Sequence, residues 1–200
     1  MKIRFIHTLI LATSIVWISS LHSKPPVGKN FTIRIQPFAE MNSNLIASVA
    51  DSIRKMYPNA VVAPKKALPV FAYHAPRNRY KADSILTFLQ NLAKPNEIWI
   101  GITTKDISTK KGEYPDWGVM GLAYRPGNAC VVSTFRLKKE NLKHQLFKVS
   151  IHELGHTMGL PHCSIPSCFM RDAEGGNPMD EETGFCKNCA GYLKEIGWRL

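Results

Sequence analysis

Strands alternating with helices predict a mixed α/β (α+β) fold, built on a twisted and mostly parallel sheet. Three stretches carry the prediction. Phe31 to Ile35 alternates apolar Phe31, Ile33 and Ile35 with polar Thr32 and Arg34, a strand period. Glu97 to Ile102 is almost continuously apolar, as a central strand buried on both faces requires. From Glu140 or Asn141 onward, Phe147, Ile151, Leu154 and Met158 recur at helical spacing. A chain of 200 residues, 44% of them hydrophobic, is one ordinary domain with a sizeable core rather than a disordered segment.

In chain order, residues 1–23 read as an export leader. Lys2 and Arg4 precede an apolar run from Phe5 to Ile18, and Ser19, Ser20 and Ser23 offer small residues for cleavage. The run is short and broken by polar residues, so no stable membrane span is expected once it is removed. The expected location is exported, periplasmic or secreted, with a membrane anchor if the leader stays. Residues 24–200 form the remaining domain, opening on a flexible Lys24-Pro25-Pro26 piece. Asn42 or Ser43 caps a helix running to Met56, where Tyr57-Pro58 stops it. Ala60–Ala63 is a second strand, and the stretch through Pro64, Pro69 and Pro76 is irregular. A helix from about Asp83 carries Ile85, Leu86, Phe88, Leu89 and Leu92 and ends by Pro95. Residues 103–118 are polar and turn-rich, and read as an exposed loop. Val119–Tyr124 and Ala129–Phe135 flank a Pro126-Gly127-Asn128 turn and form a hairpin. A short terminal helix is expected over Cys189–Arg199.

The long helix carries His152-Glu153-Leu154-Gly155-His156, extended by Gly159 and His162. Composition gives H-E-x-x-H a chance expectation of only about 0.01 in a chain of this make-up. His152 and His156 lie one turn apart on one face, so both can hold one metal. Gly159 can take the left-handed conformation that ends a helix, and Pro161 blocks its resumption. The turned chain brings His162 back as a third nitrogen ligand. Three protein ligands leave a fourth zinc position open, and Glu153 stands ready to take a proton from water there. His74 and His144 have no partner at ligand spacing and read as surface histidines. Cys130, in an apolar strand, reads as a buried and inert thiol.

Cys163 and Cys168, with the C-x-x-C pair Cys186 and Cys189, form two close thiol pairs. They suit a closed structural zinc; two disulfides are the alternative, because the leader suggests an oxidising compartment. Together with Met170, two residues after Cys168, these residues resemble the archaemetzincin family of metzincin metallopeptidases. The resemblance implies a metzincin-like zincin domain with a central active-site helix. Residues 24–159 would form its upper part and residues 160–200 a small zinc-bound lower part. It implies a catalytic zinc on His152, His156 and His162, Glu153 as general base, Met170 as the methionine of the Met-turn and a second zinc on Cys163, Cys168, Cys186 and Cys189. Met179 is the competing methionine. The resemblance also implies that an extended peptide pairs with a strand near Gly118–Tyr124. The loop between Met170 and Cys186 is acidic and glycine-rich, lacks calcium-loop spacing and reads as a solvated excursion.

Net charge is +11, but the basic residues are dispersed rather than run together. No nucleic-acid partner is therefore expected; the expected partner of a monomeric chain is a peptide or protein substrate. The rival readings are a zinc hydrolase acting on a non-peptide substrate and a zinc-stabilised binding protein of weak activity. Glu153 speaks against the binding protein, since a pure binder has no use for it.

Overall fold

A computed structural model describes residues 30–200. The expected leader and the Lys24-Pro25-Pro26 piece lie outside the described residues. The chain opens with β1 (Thr32–Pro37), α1 (Ser43–Met56) and β2 (Ala60–Val62). Asn42 caps α1: its side-chain oxygen accepts from the backbone N–H groups of Asn44 and Leu45 at 2.9 and 3.1 Å. Ile46, Val49, Ala50 and Ile53 form the buried face of the helix, and each large apolar side chain removed from water contributes about 1.5–3 kcal/mol. After β3 (Tyr73–His74) and β4 (Arg79–Lys81) come α2 (Ala82–Leu92) and β5 (Glu97–Thr103). Two short 3-10 turns and β3 give partial order to the proline-interrupted stretch expected to be irregular.

One sheet has five strands in the order β2, β1, β5, β9 (Ala129–Ser133), β8 (Gly121–Ala123). All neighbours are parallel except β8, which runs antiparallel to β9. β5 is central, as its apolar run requires. Its Ile98, Ile100 and Ile102 are fully buried in the larger core, with α1 and α3 (Leu142–Thr157). On the opposite face, α2 packs with Phe38, Ile107 and Val131 in a second core. Space there is tight: a side chain at Gly101 would meet Leu89 and Phe38 at 2.9 Å.

Residues 103–118 are not a loop. They contain β6 (Ile107–Lys111) and β7 (Tyr114–Val119), paired antiparallel in a second sheet of order β3, β4, β6, β7. Polar pairing replaces an apolar pattern here. Asp116 accepts from Lys81 at 2.6 Å and pairs with Arg79 at 3.2 Å; Asp106 pairs with Arg79 at 3.0 Å and Arg136 at 2.7 Å. Such strands carry no hydrophobic alternation and so read as loop.

The acidic loop after Met170 is only in part a solvated excursion: Asp172, Glu174, Gly175, Gly176, Asp180 and Glu181 are exposed, but its second half is anchored. It lies on α3, with Met179 and Glu182 buried. The Lys148 ammonium donates to the carbonyls of Met179 and Glu182. Gln145 donates to Asp180 at 2.9 Å and accepts from Asn177 at 3.0 Å. The terminal helix, α4 (Lys187–Glu195), begins and ends earlier than expected. Gly197, at φ +99°, then turns the chain and buries Trp198 near Tyr57 and Phe185. Among the described residues, no helix is long and apolar enough to cross a membrane.

Candidate active site

The geometry of the α3 exit gathers the histidines. Gly159 sits at φ +100°. Its N–H donates to His156 O at 2.8 Å, and the Leu160 N–H donates to Gly155 O at 3.1 Å. This paired closure is a Schellman turn, which needs a left-handed residue and favours glycine. The chain reverses and returns His162 to His152 and His156. One ligand-capable atom from each of the three lies within 4.8 Å of the other two.

Each imidazole has one nitrogen engaged. His152 Nδ1 donates to Phe169 O and His156 Nδ1 donates to Leu160 O, both at 2.7 Å. His162 Nδ1 lies 3.1 Å from Asp172 Oδ2. Each Nε2 is thereby left as the free nitrogen, with its ring orientation held. Burial pushes His152 down to about 4. Burial, with the charge of His152, pushes His156 down to about 3. Both are neutral near pH 7, the form that binds a metal.

Glu153, between the first two histidines in sequence, is 6% exposed. Burial pushes its carboxyl up to about 8; a dication nearby favours the ionised form. β8 runs close over it. A side chain at Gly121 would come within 2.4 Å of Glu153 Oε1, so glycine there leaves the carboxyl its space. Beneath the helix, Met170 is fully buried, and a side chain at Gly155 would strike its sulfur at 2.5 Å. Met179 lies elsewhere, in the wall of the cleft. That cleft, about 580 Å³, is bordered by β7 and β8, the histidines of α3 and the loop after Met170.

The four expected cysteines also converge, their sulfurs within 4.8 Å of one another and none in a disulfide. Cys163 and Cys186 are 3.8 Å apart, the edge of a tetrahedron with metal–sulfur bonds of about 2.3 Å. Cys168 accepts backbone N–H bonds from Met170 and Cys186 at 3.5 and 3.3 Å. Such donors stabilise a thiolate.

The sequence model of peptidase family M54 matches residues 29–195. The chain belongs to this family, the archaemetzincins. The archaemetzincin of Archaeoglobus fulgidus is 32% identical over 167 residues, spanning 81% of this chain and 98% of the relative. That of Halobacterium salinarum is 29% identical over 171 residues, spanning 78% and 96%. The solved structure of the A. fulgidus archaemetzincin, complexed with malonate, aligns with a TM-score of 0.69 over 81% of this chain and 99% of that one. The Methanopyrus kandleri archaemetzincin structure, at 26% identity, aligns with a TM-score of 0.70 over 86% and 97%.

As an M54 peptidase the chain is a zinc metallopeptidase, and both ligand clusters have donor sets that zinc accepts. Two cleft residues carry no signal in the sequence. Asp172, partner of His162, sits in an acidic loop with no pattern to mark it. Glu182 has a buried carboxylate, and nothing in a run of three acids distinguishes the buried one. His144 is exposed and His74 half-buried, and neither joins the histidine cluster. Cys130 is fully buried, and burial raises its thiol well above the usual range.

Proposed function

We propose that this chain hydrolyses peptide bonds with Glu153 as general base, and that it holds two zinc ions. His152, His156 and His162 would hold the catalytic ion through Nε2. Cys163, Cys168, Cys186 and Cys189 would hold the structural one. Bound at the histidines, zinc supplies a Lewis acid and lowers the pKa of water to near 7. Glu153 accepts the proton of the attacking water and passes it to the departing amine. The open edge of β8 pairs with an extended peptide backbone and holds the scissile bond against the histidines. Gly121 on that strand keeps the approach to Glu153 clear.

One observation carries the reading: three metal-ready imidazoles and a buried carboxyl face one cleft beside an unpaired strand edge. The test is Glu153→Gln. The variant retains its zinc and loses about 10²- to 10⁴-fold in turnover of a peptide library, the range for a general base. Undiminished turnover with zinc in place would remove Glu153 from the mechanism.

A further inference from the structure

Three carboxylates line the cleft: Glu153, Asp172 and Glu182. Asp172 contacts His162, and Glu153 lies beside the first histidine. Glu182 has neither duty. It is 4% exposed, and among the described residues no hydrogen bond or ion pair reaches its carboxylate. Its oxygens are not among the polar atoms sealed from solvent, so the carboxylate opens onto the cleft it lines. Burial pushes it up to about 7, against the pull of Lys148 and Arg171. Those two cations are engaged elsewhere. Lys148 donates to two backbone carbonyls, and Arg171 pairs with Glu181.

Val149 and Met179 line the cleft as apolar wall. Val149 is four residues before Glu153 on α3, about 6 Å along the axis. The bonds of Lys148 fasten the 179–182 segment to the turn that carries Val149. Asp180, bonded to Lys138, Asn141 and Gln145, keeps the wall from drifting. The 179–182 segment thus walls the cleft beside the turn of α3 that precedes Glu153.

We propose that Glu182 is a specificity determinant that selects a lysine or arginine side chain on a residue adjoining the scissile bond. This rests on the peptidase reading above. The methylene stem of such a side chain lies along the apolar wall, and its cation meets the carboxylate in charge-assisted hydrogen bonds. A neutral side chain of the same length leaves the buried carboxylate unpaired, which costs binding.

The test uses the zinc-loaded protein and two readouts. The first is the residue preference around the cut in a mixed peptide library. The second is calorimetric binding of two peptide hydroxamates, differing only in arginine against norleucine beside the hydroxamate. Wild type should cut next to basic residues and bind the arginine compound about 30-fold or more tightly, the lower range for losing one partner of a desolvated charge pair. Glu182→Gln should bring the ratio close to one while keeping the backbone bond to Lys148. Glu182→Lys should turn the preference toward acidic side chains. A wild-type ratio near one, or a ratio untouched by Glu182→Gln, overturns the proposal. A strong arginine preference in binding with no peptide cut would retire the peptidase reading and leave the charge selection standing.

Discussion

Of the three clustered histidines, His162 is held least by its surroundings, with a side chain 45% exposed. Asp172 is what orients it. Replacing Asp172 with Ala should weaken zinc binding at the histidines about 10- to 100-fold, the usual cost of losing a partner behind a ligand. Competition with a graded chelator measures this, and unchanged affinity would make the contact incidental. Gly155 poses a packing question. Gly155→Ala sets a methyl against the Met170 sulfur, and the clash should cost about 1–3 kcal/mol in denaturant unfolding. At this scale the histidine cluster was legible, because H-E-x-x-H places two imidazoles on one helical face by spacing alone. Asp172 and Glu182 were not. Their roles depend on how a loop without periodicity folds back, and neighbouring acids in that loop look alike in sequence.

The elements divide by what holds them. α1, β5 and α3 were legible because burial dictates their apolar spacing, and the Asn42 cap was legible because short polar side chains complete helix starts. Asn42→Ala should cost about 1 kcal/mol in unfolding free energy. The β6–β7 pair was hidden because most of its side-chain contacts are ion pairs, with Ile107 and Val119 alone adding apolar packing against the second core. Its key carboxylate, Asp116, is raised by burial but pulled lower by hydrogen bonds from Lys81 and Ser108 and by the charges of Lys81 and Arg79, to about 2. An unfolded aspartate titrates near 3.9. The folded value is the lower one, so its stabilisation is complete above about pH 4 and lost as pH falls toward 2. Thermal midpoints across that window should drop in the wild type. Asp116→Asn should start lower and change less there, and parallel curves for the two proteins would contradict this account.

Across the whole molecule, the cysteine cluster and the histidine cluster share one piece of chain. Cys163 directly follows His162; Phe169, next to Cys168, supplies the carbonyl that orients His152; and Met170 packs on the helix at Gly155. A metal on the cysteines would thus brace the catalytic ligands as well as α4. Cys186→Ser should lose one zinc, lower the thermal midpoint and reduce turnover, although no cysteine lines the cleft. The most direct measurement is zinc per chain by native mass spectrometry, with the thiol state read from the same mass. Two zinc ions are expected in the wild type, one in Cys186→Ser, and four unbridged thiols in the wild-type cluster. A single zinc in the wild type, with the mass deficit of two disulfides, would contradict the two-zinc reading.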